Sequence, residues 1–144
     1  MKRGGKNASS KNLLLVSGDG ALKRHITDAL GLAGIPRTTL ATATCGRDAL
    51  RIVAKDRPRL LIVDNDLSDT TGLELLHALY QDGIKPLVVY MATRHTFELE
   101  KAVRQLGVLY YTEKPPDLAA ITHIVAVVFS PKKSVSLKET PCSL

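Results

Sequence analysis

The chain has no tryptophan, two phenylalanines and four tyrosines, so aromatics make up only 4% of its residues. Any core it builds is aliphatic. Its two cysteines, Cys45 and Cys142, stand far apart. That spacing excludes a zinc-type cluster and reads as two free thiols in a reducing compartment. No apolar run approaches the roughly 20 residues of a membrane-spanning helix, because Asp, Lys or Arg interrupts each one. The basic N-terminus is not followed by the apolar segment of a secretory signal. A cytoplasmic protein is expected, with no internal repeat and no low-complexity segment.

What is present suits one globular domain. At 144 residues, with 44% hydrophobic and 24% charged content, the chain is long enough to bury a core without disulfides or a structural metal. Of the net charge of +6, Lys2, Arg3, Lys6 and Lys11 contribute +4, and Lys132, Lys133 and Lys138 less Glu139 contribute +2. The body between them is neutral. The reading is a basic N-terminal arm over residues 1–11, a folded domain over 12–130, and a C-terminal tail or linker start over 131–144. Lys and Arg in such arms neutralise phosphates, but polar basic ends are usually solvated, and nucleic-acid contact is not expected of this fragment unless an output domain is missing.

The most informative stretch is Arg59-Leu60-Leu61-Ile62-Val63-Asp64-Asn65-Asp66. Four uninterrupted apolar residues suit a strand buried on both faces, as in a parallel sheet. Open α/β sheets place their chemistry beyond the carboxyl ends of such strands, where Asp64 would sit. Around it, strands are expected at Leu13–Val16, Thr38–Ala43, Leu87–Met91 and Val108–Tyr111. Helical stripes alternate with them: Leu22, Ile26, Ala29, Leu30 and Ala33; Ala49, Leu50, Val53 and Ala54; Leu75, Leu76, Leu79 and Tyr80; Leu99, Ala102, Val103 and Leu106. A last helix, capped by Asp117, would turn Leu118, Ile121, Ile124, Val125 and Val128 inward. Five strands alternating with five helices predict a doubly wound α/β sheet.

Four stretches, in order, resemble the receiver domain of two-component response regulators over about residues 12–130. Pro58-Arg59-Leu60-Leu61-Ile62-Val63-Asp64 resembles the phosphoacceptor strand. Thr71-Gly72-Leu73-Glu74-Leu75-Leu76 resembles the start of the helix that follows it. Ala43-Thr44-Cys45-Gly46-Arg47-Asp48-Ala49-Leu50 resembles the entry to the second helix, and Leu106 to Pro115 the fifth strand with its Lys-Pro. The resemblance implies a flavodoxin-like fold of strand order 2-1-3-4-5. It also implies a non-enzymatic signalling module served by a sensor histidine kinase or another signalling protein.

It further implies roles for single residues. Asp64 stands at the phosphoacceptor position, a nucleophilic carboxylate. Lys114 stands at the phosphate-pairing lysine, Tyr111 at the aromatic switch position, and Pro115 where the family commonly uses a cis bond. Two positions depart from the pattern. The acidic pair that holds Mg²⁺ after strand one is replaced by Ser17 and Gly18, and the Ser/Thr switch by Met91, which cannot donate a hydrogen bond to phosphate. Asp19 and Asp66 could join Asp64 in a weak Mg²⁺ site, although Asp19 also suits a helix N-cap. With the acids gone, Asp64 could instead rest in an ion pair with Lys114, while Met91 fills the space of a phosphate.

Other readings are poorer. Gly18-Asp19-Gly20 resembles half of a nucleotide- or phosphate-binding loop, but Lys23 stands where a third glycine belongs and Asp19 would repel an anion. His25, His77, His95 and His123 have no ligand spacing. Arg94, Glu98, Lys101 and Arg104 would give the fourth helix a mixed-charge face suited to a second copy of the chain, through helix four, strand five and helix five. The expectation is thus an atypical receiver acting mainly through protein contacts, with phosphorylation at Asp64 weak or absent. The alternative is a working phosphoacceptor that uses Mg²⁺.

Overall fold

The computed structural model describes residues 12–129. The two basic ends lie outside the described residues. The elements run β1 (Leu13–Val16), α1 (Gly20–Leu32), a 3-10 turn (Arg37–Thr39), β2 (Leu40–Ala43), α2 (Gly46–Asp56) and β3 (Leu60–Asp64). They continue with α3 (Gly72–Gln81), β4 (Leu87–Ala92), α4 (Phe97–Gln105), β5 (Tyr110–Glu113) and α5 (Leu118–Phe129). All five strands are parallel, in the order β2-β1-β3-β4-β5. This is the doubly wound arrangement expected from the alternation of periods.

Strand alternation sorts the core into two layers. Leu14, Val16, Leu61, Val63, Val88 and Tyr90 pack with Ala49, Val53, Leu75, Leu76, Leu79 and Val103, joining the sheet to α2, α3 and α4. Leu13, Leu15, Leu60, Ile62, Val89 and Met91 pack with Leu22, Ile26, Leu30, Ile121 and Val125 from α1 and α5. Every residue of β1 and β3 is buried, which is why those strands read as unbroken apolar runs. The helices are started by oxygen caps: Asp19 accepts from the Leu22 amide, Thr71 from Glu74 and Thr96 from Leu99. Asp117 accepts from Ala119 and Ala120 at the head of α5.

Four local expectations need correction. The second strand begins at Leu40, not Thr38, because Pro36 directs the chain into a 3-10 turn closed by the Thr39 amide on the Pro36 carbonyl. On α2, Leu50 and Ala54 face solvent, and Ile52 packs inward beside Ala49 and Val53. The fifth strand is Tyr110–Glu113, two residues later than its apolar run, because pairing with Val89–Ala92 carries it to the polar edge of the sheet. Arg94 precedes α4 and lies in the loop after β4.

Candidate functional site

β3 ends with Asp64 at the carboxyl edge of the sheet, its side chain on the α1/α5 side with Leu60 and Ile62. The carboxylate is 1% exposed, and each of its oxygens has a partner. Oδ2 accepts from the Ser17 hydroxyl at 2.9 Å and from the Lys114 ammonium at 2.8 Å. Oδ1 accepts from the Asp66 amide at 3.1 Å. Ser17 is itself fully buried and receives the Asp19 amide at 3.0 Å, which leaves its proton directed at Asp64. Lys114 follows β5, held by its amide on the Ala92 carbonyl, and its peptide bond to Pro115 is cis. The buried −1 of Asp64 therefore meets a +1 directly, the pairing that a charge in a dry site requires.

The other two carboxylates are employed elsewhere. Asp19 caps α1. The Asp66 carboxylate accepts from the Asn65 side-chain amide at 3.1 Å, and its backbone pairs with Thr71. Gly18 carries no ligand at all. Among the described residues, no group of three or more His, Cys, Asp or Glu is arranged to hold a metal ion. Mg²⁺ asks for one or two carboxylates with open lone pairs and room for water. A carboxylate already shared among a hydroxyl, an ammonium and an amide does not suit it.

Met91 lies in register with Asp64 across the β3–β4 pair, fully buried against the α1/α5 layer. The β4 position paired with Asp64 thus carries a thioether where a hydroxyl is expected of the family. Tyr111, on the opposite face of the sheet, is 8% exposed. Its ring stacks on Tyr90 at 6.1 Å and 6°, and the Arg104 guanidinium lies 5.7 Å from its centroid. Burial, then the Glu100 and Glu113 charges, raise the Tyr111 hydroxyl above the ordinary phenol range.

Three participants were not legible beforehand. His95 Nδ1 meets the Tyr111 hydroxyl at 3.0 Å, and its Nε2 lies 3.6 Å from Glu100 on α4. Tyr90 donates its hydroxyl to the Asn65 side-chain carbonyl, beside Asp64 in the chain. Burial drives the Tyr90 phenol far above its ordinary value. Asp69 bonds the Gly46 and Arg47 amides at 2.8 and 3.0 Å, capping α2 from the loop after β3. No spacing rule links these residues, since each pair is joined by tertiary packing. The alternation of β4 was the one available signal, because it sends Tyr90 to the face opposite Met91.

The fold and this carboxyl-edge cluster define a receiver module. The model of the response regulator receiver domain family matches residues 13–126. The chain belongs to that family, the receiver domains of two-component signalling. It is 35% identical over 94 residues to an "uncharacterized response regulatory protein" of Staphylococcus epidermidis, covering 63% of this chain and 36% of the relative. It is 27% identical over 115 residues to the photosynthetic apparatus regulatory protein RegA of Rhodobacter capsulatus, covering 80% and 61%. The matched region thus spans about a third to three fifths of these relatives.

Among solved structures, a CheY-like receiver domain protein from Methanospirillum hungatei superposes with a TM-score of 0.71 at 20% identity, covering 91% of this chain and 99% of the other. A Burkholderia pseudomallei response regulator, solved with a phosphorylated aspartic acid, calcium and citrate, gives 0.67 at 17% identity, covering 93% and 75%. At these identities the likeness is one of fold. No helix among the described residues is long and apolar enough to cross a membrane.

Proposed function

We propose that this receiver works mainly through protein contacts, with phosphorylation at Asp64 weak or absent. The observation that carries the reading is the closed set of partners around Asp64: Ser17 and Lys114 on one oxygen, the Asp66 amide on the other. Attack on a phosphorus atom would have to use the one lone-pair position of Oδ1 that these three donors leave open, on a carboxylate 1% exposed. The incoming dianion would then meet one ammonium, with Ser17 and Gly18 where the family has acids. Its partner is a sensor histidine kinase or another signalling protein. The face of α4 suits a second copy, since Phe97 is 72% exposed beside a depression of Glu100, Lys101, Arg104 and Gln105.

One observation favours the alternative of a working acceptor: the Asp64–Lys114 geometry is intact at 2.8 Å. Intact mass after incubation with a small-molecule phosphodonor and Mg²⁺, beside an Asp64→Asn control, separates the two. The expected result is no adduct on either protein. An adduct that disappears in the control would overturn the reading and assign phosphotransfer to Asp64. The proposed reading also expects Asp64→Asn to alter stability more than signalling, so lost signalling with retained stability would oppose it.

A further inference from the structure

Tyr90 carries a buried polar group that the Asp64 cluster does not use. Every other side chain of β4 is apolar, and the Tyr90 ring is fully buried in the layer formed with α2, α3 and α4. A phenol there is costly unless its hydroxyl is met. The hydroxyl donates to the Asn65 side-chain carbonyl, and the Leu73 amide at the head of α3 bonds the same oxygen. Gly72 leaves the room for it: a Cβ at that position would come within 2.9 Å of the Tyr90 hydroxyl, the Asp64 carbonyl and the Val63 side chain. The Gly72 amide in turn bonds the Asn65 carbonyl at 2.8 Å. The hydroxyl is thus packed against the main chain that leaves Asp64, with no slack to absorb a shift of residue 65 or 72.

The ring passes the contact on. Tyr90 is in register with Tyr111 across the β4–β5 pair, and the two rings lie nearly parallel, 6.1 Å apart. The Tyr111 hydroxyl meets His95 Nδ1 at 3.0 Å, and the two rings stand edge to face at 5.7 Å. His95 Nε2 faces Glu100 Oε1 at 3.6 Å, while Glu100 Oε2 takes Arg104 at 2.7 Å, and Arg104 lies over the Tyr111 ring. Glu100 and Arg104 line the depression beside Phe97 on α4. An unbroken line of contacts therefore joins Asn65, next to Asp64, to the exposed face of α4. Met91 takes no part, since it packs in the α1/α5 layer.

We infer that Tyr90 is a positioning residue that couples the loop over residues 65–71 to the α4 face, in place of the hydroxyl absent from position 91. A contact that draws Asn65 away leaves the Tyr90 hydroxyl without its acceptor in a dry site. The ring must then move to find another, and its stack on Tyr111 moves with it. By linkage the same coupling runs from α4 back to the loop. Its use in signalling rests on the reading that the α4 face docks a partner; the coupling itself needs neither that partner nor a phosphoryl group.

The test is amide NMR of the full chain. Asn65→Ala should shift the amides of His95, Tyr111 and the turn Glu100–Arg104 along with those of its own loop. The amides of α5, on the other face of the sheet, are the control and should stay in place. In a Tyr90→Phe background the same Asn65→Ala change should move its own loop only. Thermal melting of each protein checks that the fold is retained, and Asn65→Ser takes the place of Asn65→Ala if the latter does not fold. Two results would overturn the inference: α4 amides that do not move when Asn65 changes, or that move as far in the Tyr90→Phe background as in the parent. Neither bears on the phosphodonor experiment or on self-association through α4, so the proposed function stands or falls separately.

Discussion

Ser17 and Asp64, 47 residues apart, share a 2.9 Å hydrogen bond at the buried end of the sheet. That bond changes the charge the site can hold. An acid at position 17 would place a second negative charge beside Asp64 and call for a divalent cation. A hydroxyl instead donates a proton to the carboxylate, and Lys114 supplies the single positive charge that balances it. The cluster is electrically closed without a metal.

This balance makes Lys114 and Asp64 unequal under mutation. Asp64 is 1% exposed, whereas the Lys114 side chain is 16% exposed and can reach water. Lys114→Met strands a buried carboxylate and should cost about 3–5 kcal/mol, moderated by the Ser17 and Asp66 donors that remain. Asp64→Asn keeps one oxygen for the Ser17 and Lys114 donors, sets its NH2 against the Asp66 amide, and should cost about 1–3 kcal/mol. The double variant should lose less than the sum of the two. Urea denaturation of the four proteins checks this cycle, and additive losses would mean that the ion pair contributes no coupling.

The loop after β3 also governs α2. Hydrogen bonds from the Gly46 and Arg47 amides hold the Asp69 carboxyl below its usual value. A carboxylate with a depressed folded-state pKa stabilises fully above its unfolded value, about 3.9, and loses that contribution as pH falls through the folded value. Asp69→Asn should therefore melt at a lower temperature than the parent at pH 7. The gap should narrow as pH falls below about 4. A gap that is constant from pH 7 to about 3 would place the effect in packing rather than charge.

How far the sequence revealed these relationships depends on their range. β3 and β1 are buried on both faces, so their apolar runs marked them; the alternation with helical stripes led to the doubly wound class, and the strand order followed from the family resemblance. Leu50 and Ala54 misled because a short stripe on α2 fits two adjacent phases, and only packing against the sheet selects Ile52. The fifth strand was displaced because its register is imposed by β4, while its own residues turn polar where they reach the site. The Ser17 hydroxyl on Asp64, Tyr90 on Asn65 and His95 on Tyr111 are contacts between distant segments, made by residue types that have many other uses. Nothing in local spacing announces them.

Tyr90 links the acceptor loop to the α4 side of the sheet through its hydroxyl on Asn65 and its stack on Tyr111. Burial keeps its phenol neutral well into alkaline solution. The associated stability is whole below the unfolded phenol value of about 10 and is lost as pH rises from there through the folded-state value. Among the four tyrosines, Tyr90 should ionise last, in step with unfolding, when absorbance is followed at alkaline pH. Tyr90→Phe should remove that late step and cost about 1 kcal/mol at neutral pH through the Asn65 acceptor it leaves unpaired. An unchanged late step would assign it to another ring.

Restoring the missing acid offers the sharpest check on how the site is balanced. Ser17→Asp removes a donor to Asp64 and sets a like charge against it in a buried site. Without divalent cations the variant should melt well below the parent. Adding Mg²⁺ should recover stability in the variant and leave the parent unchanged, because a ligand that binds only the folded state stabilises by about RT ln(1 + [L]/Kd), roughly 2.7 kcal/mol at a hundredfold excess over Kd. Melting curves with Mg²⁺, and with K⁺ at matched ionic strength, separate site binding from screening. If the parent gains as much from Mg²⁺ as the variant does, Asp64 already binds the ion and its closed set of partners opens at little cost.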